Sequence, residues 1–371
     1  MSFTLSLIVP CYNEAQTLEA CIEKLLDFSY GRNFSLEIIV VDDASTDGSV
    51  QILEKIAERR SGIKIFKHEK NRGKGAALRT GFIHAAGDFV GIHDADDEYN
   101  PNDYSLMLEP LLAGKADVVY GSRYLRPDTR RVLYFWHTWM NKTLTGVSNM
   151  FTNLDITDME TCYKLFRREI IQKIAPQLKE ERFGFEPEIT ARVSDAGCRV
   201  YECAISYNPR TYEEGKKIGW KDGVRALYCI FHYSGHTAPL PMQILIYLFI
   251  GGVSMLANMT FFMIGNFLSV PINYSIIGAF ILAAAVNYIL CISILFKHNA
   301  RWKTPGELFL YGVTVTLMGS IDFGLTRALI AFSGGLILPK FMGAVAGFIG
   351  NFLLRKWLVF PEKRKHERTV S

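Results

Sequence analysis

The chain has 371 residues, of which 49% are apolar, with a net charge of +4 and a mean hydropathy of +0.12. These averages hide two unlike parts, because residues 1–225 hold 30 Lys and Arg and 33 Asp and Glu, whereas residues 226–296 hold none of these four types. Such a stretch cannot form a soluble surface, so the composition excludes a wholly soluble protein, a disordered chain and a nucleic-acid binder that relies on basic charge.

Short apolar runs alternate with amphipathic segments in the first 120 residues. The runs predicted as strands are residues 5–9, 36–41, 63–66, 89–92 and 118–120. The segments predicted as helices are residues 13–28, 45–60, 74–86 and 102–113. This alternation predicts a doubly wound α/β domain, Rossmann-like, with a parallel sheet covered on both faces.

Polar segments follow three of the predicted strands: PCYNE, DDASTDG and HDADDE. Ligands bind at the carboxyl ends of such sheets. Neither GxGxxG nor GxxxxGK[ST] occurs, which argues against a dehydrogenase and a P-loop NTPase. Residues 71–75, NRGKG, are basic and glycine-rich at a predicted helix start, where an anion can approach.

The segment DADDE suggests a metal site. If it is extended, Asp94, Asp96 and Glu98 point to one side, because side chains alternate along a strand. Three converging carboxylates repel one another unless a cation lies between them, and their oxygens suit Mg²⁺ or Mn²⁺. We predict such a cation here; the alternative is a solvated acidic loop.

The motifs PCYNE, VVDDASTDGS, NRGKGAALRTG and DADDE, in this order, resemble those of family 2 glycosyltransferases with the GT-A fold. The later segments GSRY, DMETCYK and RTY resemble the branch that includes dolichol-phosphate mannosyltransferases and bacterial polyprenyl-phosphate glycosyltransferases. Many relatives have Ser-Gly-Phe where this chain has Thr161-Cys162-Tyr163. We therefore do not infer the identity of the transferred sugar from the resemblance.

The resemblance implies roles for individual residues. It implies nucleotide binding by Pro10, Tyr12, Glu14, Asp42, Asp43 and Lys74. It implies metal and diphosphate contacts for Asp94, Asp96 and Glu98, and acceptor-phosphate contacts for Ser122, Arg123, Arg210 and Lys216. Asp96, Arg123 and Arg210 are then the expected catalytic residues.

The activity implied is an inverting transfer of one sugar from a nucleotide-diphosphate sugar to a polyprenyl monophosphate, dolichyl or undecaprenyl, at the cytoplasmic face of a membrane. One alternative is a processive polysaccharide synthase, but its QxxRW motif is absent and Arg301-Trp302 lies in a predicted loop. Another is a transporter or scaffold of lipid-linked sugars with an inactive front domain, which the intact DADDE and GSRY segments argue against.

Four long apolar stretches in the second half predict four membrane-spanning helices, at about residues 240–264, 274–296, 308–332 and 336–354. Each is long enough to cross the roughly 30 Å hydrocarbon layer. A shift of 64 residues aligns the second pair on the first, for example Asn258 with Asp322 and Asn287 with Asn351. Asp322 and Arg327 are expected to face the bundle, either binding a lipid phosphate or forming a satisfied polar pair.

Cationic residues predict the orientation, because they follow spans two and four and are nearly absent after spans one and three. Both termini and the catalytic domain are therefore expected in the cytoplasm, in agreement with an N-terminus that lacks a signal-peptide pattern. The scattered cysteines, without CxxC spacing, fit a reducing compartment. The ending Asn351-Phe352, Arg355-Lys356-Trp357 resembles the GtrA family of small four-span proteins.

Two aromatic and basic stretches suit a membrane surface. One runs through residues 216–231 and the other through residues 130–139; the alternative for the second is an ordinary packing helix. We predict a GT-A domain at residues 1–215, an interfacial segment at 216–238 and a GtrA-like membrane domain at 239–371. The expected protein is integral to the plasma membrane, contacts membrane lipids and binds no nucleic acid; a homo-oligomer and a monomer are both left open.

Overall fold

The computed structural model describes residues 3–29, 31–60, 62–125, 131–209, 220–295, 304–333, 342, 346 and 349–359. The chain divides into two compact units, Met1–Pro239 and Leu240–Ser371. The first is α/β and the second is helical, as the sequence predicts.

One sheet organises the first unit. Its described strands are β1 (Phe3–Cys11), β2 (Phe34–Asp42), β3 (Ile63–Lys67), β4 (Phe89–Ile92), β5 (Val118–Ser122), β6 (Lys164–Arg167) and β7 (Val200–Ala204). They are ordered β3-β2-β1-β4-β6-β5-β7. Strands β1 to β4 are parallel, whereas β6 runs antiparallel to both β4 and β5.

The five predicted strands are all present, but the expectation of an entirely parallel sheet is wrong at β6. This strand has four residues and begins and ends with the charged side chains of Lys164 and Arg167, so it lacks a continuous apolar run. Tertiary packing keeps it in the sheet interior, where Leu165 and Phe166 are fully buried.

Helices cover the sheet: α1 (Leu18–Ser29), α2 (Ser49–Arg59), α3 (Lys74–His84), α4 (Tyr104–Leu112), α5 (Phe135–Thr152), α6 (Arg168–Ile174), α7 (Phe185–Asp195) and α8 (Trp220–Ser234). Helix α1 buries Leu18, Ile22 and Leu25, the spacing of one helical face. Helix α8 packs on the same unit, because the ring of Phe231 meets that of Phe151 in α5 at 4.9 Å.

The second unit contains α9 (Leu240–Phe267), α10 (Ile272–Leu290) and α11 (Thr304–Ser333). Among the described helices, α9 alone meets the length and apolarity needed to cross a membrane. Helices α10 and α11 lie at the second and third predicted spans, while the fourth falls largely outside the described residues. The side chains of Asp322 and Arg327 also lie outside them.

The predicted repeat has a counterpart in the backbone. Short π-helical segments occupy Cys291–Leu295 and Arg355–Val359, which are 64 residues apart. The same shift relates Tyr247 to Tyr311, and both rings are buried. The two halves of this unit therefore share local geometry as well as sequence.

Candidate active site

Three polar loops meet at one edge of the sheet, as expected from the carboxyl ends of parallel strands. In the register of β1 and β2, Cys11 lies beside Asp42, and β4 is the other neighbour of β1. The ends of these three strands and the loops after them carry every predicted nucleotide or metal contact except Lys74, which begins α3. This edge is the candidate active site.

Asp42 presents an unused acceptor. Its side chain is buried, and Oδ2 accepts a hydrogen bond from the backbone N–H of Ser45 at 3.2 Å. Its Oδ1 is also buried and has no hydrogen-bond partner among the described residues. A buried acceptor without a donor is costly, so this atom is suited to a ligand N–H or O–H.

The other predicted nucleoside contacts, Pro10, Tyr12 and Glu14, lie at the end of β1 and in the loop that follows it. Pro10 is within β1, and Tyr12, just beyond it, is 38% exposed. The backbone N–H of Glu14 donates to Ser49 Oγ at 3.1 Å, and its carboxylate accepts from Thr17 Oγ1 at 3.2 Å. Tyr12 is thus the most accessible of these three for a base or ribose.

Asp43 is engaged within the protein. Its carboxylate accepts from the backbone N–H groups of Arg72 and Gly73, at 2.9 and 2.6 Å, and lies 2.7 Å from His68 Nδ1. These contacts fix the loop that precedes α3. Both carboxylate oxygens of Asp43 therefore accept hydrogen bonds within the protein, and its predicted nucleotide contact stays a prediction.

Lys74 lies at the centre of the polar cluster. Its Nζ is 2.9 Å from Asp94 Oδ1, 3.6 Å from Glu186 Oε1 and 2.6 Å from Cys162 Sγ. Burial alone would lower the pKa of Lys74, but Asp94 and the other neighbours raise it well above its usual value. Burial likewise opposes ionisation of Asp94, and Lys74 lowers its pKa overall. Both groups are charged.

The extended geometry expected for DADDE is wrong. Residues 95–97 form a turn, in which Asp97 has a φ of 61°, so the side chains do not alternate as in a strand. Asp97 pairs with Lys24 at 2.6 Å, and Glu98 Oε2 accepts from Tyr207 Oη at 2.9 Å. Within the described ranges, no three His, Cys, Asp or Glu side chains form a metal-binding group.

The predicted acceptor residues that are described lie at the end of β5: Ser122 is its last residue and Arg123 follows it. Ser122 is buried, with Oγ 2.6 Å from Thr157 Oγ1. Arg123 forms a two-pronged ion pair with buried Asp158, each N–O distance being 2.7 Å. Arg123 also lines a cavity of about 750 Å³ together with Tyr99 and Tyr207. The other two predicted phosphate contacts, Arg210 and Lys216, lie outside the described residues.

Three further residues of the site carried no predicted role. Cys162 touches Lys74, so the departure from Ser-Gly-Phe lies within the cluster. Glu160 Oε1 and Glu186 Oε2 are buried without a partner among the described residues. Burial, with added repulsion from Glu186, raises the pKa of Glu160 to about 8. Their sequence signal is weak, because they come from separate segments far from the acidic loops.

Comparison with known proteins gives the relationships of both units. A family model described as glycosyl transferase family 2 matches residues 6–175. A dolichyl-phosphate β-glucosyltransferase, ALG5D, of Trichomonas vaginalis is 30% identical over 216 residues, 55% of this chain and 65% of that protein. Glycosyltransferase AglD of Haloferax volcanii is 26% identical over 215 residues, 55% of this chain and 33% of that protein. The chain thus spans less than two thirds of either relative.

A crystal structure of glucosyl-3-phosphoglycerate synthase from Mycobacterium tuberculosis, in complex with Mn²⁺, UDP and phosphoglyceric acid, is 18% identical with a TM-score of 0.48. The likeness covers 63% of this chain and 79% of that one. A second family model, described as the GtrA/DPMS transmembrane domain, matches residues 246–360. Residues 6–175 therefore match a family 2 glycosyltransferase domain, and residues 246–360 match a transmembrane domain of the GtrA/DPMS family, which indicates a membrane protein.

Proposed function

We propose that the protein transfers a single sugar, with inversion, from a nucleotide-diphosphate sugar to a polyprenyl monophosphate at the cytoplasmic face of a membrane. The observation that carries this proposal is the buried cluster at the strand ends, where Asp42 offers a free acceptor beside the Lys74–Asp94 pair. The name of the T. vaginalis relative, a dolichyl-phosphate β-glucosyltransferase, supports the acceptor class.

The donor would bind across the ends of β1, β2 and β4. Asp42 Oδ1 would accept a hydrogen bond from the nucleobase or ribose, and the exposed ring of Tyr12 would pack on the base. Lys74 would contact the diphosphate, because its ammonium is charged and anchored among carboxylates. Pro10 and Glu14 would shape the pocket around the nucleoside.

Two of the three predicted metal ligands fit a divalent cation. Asp94 and Asp96 supply hard carboxylate oxygens directly after β4, whereas Glu98 is turned to Tyr207. Mg²⁺ or Mn²⁺ bound there would neutralise the charge that develops on the departing nucleotide diphosphate. We propose Asp94 and Asp96 as the ligands and give Glu98 the role of fixing the Tyr207 side of the cavity.

The acceptor needs no strong base, because a phosphate monoester is already ionised near neutral pH. One of its oxygens would attack the anomeric carbon as the bond to the nucleotide diphosphate breaks on the opposite face, which inverts that centre. Arg123 would hold the acceptor phosphate in line, since Asp158 fixes its guanidinium. Arg210 and Lys216 are the further contacts that we propose for this phosphate.

The glycosyltransferase domain has an aromatic face suited to a bilayer. Tyr134, just before α5, and Phe135, Trp136 and Trp139 within it are 51–74% exposed, and the neighbouring α8 exposes Tyr228 by half. Amphipathic aromatic rings favour the head-group region. We propose that this face rests on the cytoplasmic leaflet, with residues 216–238 as the interfacial segment between the domains 1–215 and 239–371.

The test is an assay of the full-length protein in lipid nanodiscs. A panel of nucleotide sugars is offered with undecaprenyl or dolichyl monophosphate, and the lipid product is weighed by mass spectrometry. We expect one donor to add a single sugar and to release nucleotide diphosphate only when the lipid phosphate is present. A polymer, or release that ignores the lipid, would overturn the proposal.

A further inference from the structure

An arginine lies buried inside the membrane unit. Arg355 is 5% exposed, and its guanidinium carbon lies 4.5 Å from the centre of the Tyr311 ring and 5.5 Å from that of Tyr247. Its Nη1 donates to Asn287 Oδ1 at 2.5 Å and to Cys291 Sγ at 3.8 Å. Two aromatic faces and a neutral amide stabilise this cation, and among the residues that the structure describes no carboxylate pairs with it.

The guanidinium retains bonding capacity. Its Nε is buried and has no hydrogen-bond partner among the described residues. A buried guanidinium with an unused donor, and with no counter-ion among the described side chains, is costly within a membrane bundle, where ionisable residues commonly mark a binding site. The arrangement is therefore suited to an anion that supplies charge and acceptors together.

A cavity opens beside this group. It has a volume of about 430 Å³ and is bounded by α9, α10, α11 and Arg355. Ser254, Asn258 and Asn287 contribute polar groups, and Asn287 Nδ2 donates to Ser254 Oγ at 2.9 Å. The apolar side is formed by residues such as Met255, Met259 and Val315. The cavity therefore offers polar groups for a head group and apolar side chains for a hydrocarbon chain.

The internal repeat shows that helix packing does not require this charge. Arg355 begins one π-helical segment, and Cys291 begins the equivalent segment 64 residues earlier. Cys291 is also fully buried, so the same place in the first half accommodates a small neutral side chain. The arginine is thus an addition to one half of a pseudo-symmetric frame.

We propose that this cavity binds a lipid with a phosphate monoester head. The phosphate would accept hydrogen bonds from Arg355, whose planar fork matches phosphate oxygens, and the first part of the lipid chain would lie against Met255 and Met259. The site belongs to the membrane unit and is separate from the acceptor position proposed beside Arg123. It is independent of whether the glycosyltransferase domain is active.

Photo-labelling of the wild-type, full-length protein locates the site without any mutation. Undecaprenyl monophosphate that carries a diazirine near its head is cross-linked, and the labelled peptides are identified. We expect label on the peptide that contains Met255 and Met259, removed by excess undecaprenyl monophosphate but not by undecaprenol or inorganic phosphate. Absence of this label, or equal competition by undecaprenol, would overturn the proposal; competition by inorganic phosphate would replace the lipid with a free-ion site.

Variants then test the arginine. Arg355→Gln should weaken undecaprenyl monophosphate binding at the labelled peptide by about ten- to hundredfold, because a charged hydrogen bond is lost. Arg355→Lys, which keeps the charge, should retain part of the labelling. The control is Lys356→Gln, next to it, whose Nζ bonds Gln243 Oε1 instead. Unchanged labelling in a folded Arg355→Gln protein would contradict the proposal, whereas failed sugar transfer alone would not affect it.

Discussion

Asp42 and Asp43 are adjacent in the sequence but have different surroundings. Asp42 ends β2 with one carboxylate oxygen unused, while Asp43 is surrounded by donors from the loop before α3. A sequence motif gives both the same implied role. The structure separates them, because only hydrogen-bond accounting shows which oxygen is available to a ligand.

We expect Asp42→Asn to weaken donor-nucleotide binding by about tenfold or more, because the ligand donor would lose a charged acceptor. The affinity is measured by calorimetric titration of the full-length protein with the nucleotide of its sugar donor. Asp97→Asn is the matched control, since Asp97 is paired with Lys24 and its left-handed backbone tolerates asparagine. Equal affinity in wild type and Asp42→Asn would refute the role of Oδ1.

The raised pKa of Glu160 predicts that the stability of the folded protein depends on pH. Burial raises its pKa to about 8 in the folded protein, so between the ordinary glutamate pKa of 4.5 and about 8 the folded state holds a proton that the unfolded chain releases. This contribution is complete at low pH and is lost as the pH rises through that window. Glu160→Gln imitates the protonated form and removes the titration.

Thermal melts from pH 5 to 9 test this. The melting temperature of Glu160→Gln, relative to wild type, should rise by several degrees with pH and level off above about 8. The exposed Glu109 on α4 offers a control, Glu109→Gln, which should follow the wild-type profile. Parallel profiles for wild type and Glu160→Gln would show that Glu160 ionises normally in the folded state.

At the scale of elements, the loop before α3 is built around a close backbone approach. Gly73 has a φ of +96°, and a Cβ added there would lie 2.4 Å from the backbone oxygen of Glu181. The backbone of Gly73 also donates to Asp43, so the loop that delivers Lys74 is fixed at two sides. Only glycine meets both demands.

Gly73→Ala should therefore cost about 1–3 kcal/mol of stability and lower sugar transfer by displacing Lys74. Gly31→Ala is the matched control, because Gly31 also has a positive φ, +73°, but nothing lies within 4 Å of an added Cβ. The Gly31→Ala variant reports the cost of backbone strain alone, whereas Gly73→Ala adds the steric clash with Glu181. If both variants lose the same stability and activity, the close approach to Glu181 has no special role.

The local sequence pattern predicts the first five strands, because each contains a short apolar run, and it predicts the polar loops that follow β1, β2 and β4. It does not predict β6, whose short run is interrupted by charge, or the turn in DADDE, which depends on the positive φ of Asp97. Nor does it predict the contact of Lys74 with Cys162, which lies 88 residues away. Such contacts are decided by tertiary packing.

At the scale of the whole molecule, charge distribution already separates the two units. The charged first half folds around the sheet, and the second half, which begins with the charge-free residues 226–296, supplies the helices of the GtrA/DPMS domain. The number of spans and their orientation stay predictions. The exposed rings on α5 are the structural feature that supports the proposed contact of the glycosyltransferase domain with a lipid surface.

The double change Trp136→Ser and Trp139→Ser should raise the KM for undecaprenyl monophosphate in nanodiscs several-fold, because two interfacial anchors are lost. The kcat/KM with a short, water-soluble prenyl phosphate should stay near the wild-type value. The control is Leu106→Ser with Leu112→Ser, two leucines on α4 that are also half exposed. A loss that is equal for both acceptors would indicate damage to the domain rather than to its membrane contact.

The most direct test of the central claim compares the lipid products of wild type, Asp96→Asn and Asp97→Asn in the nanodisc assay. We predict that wild type adds one sugar to the lipid monophosphate, that Asp97→Asn retains this activity, and that Asp96→Asn loses about a hundredfold or more while remaining folded. Undiminished transfer by Asp96→Asn would contradict the account, and so would the absence of a lipid-linked sugar with every donor.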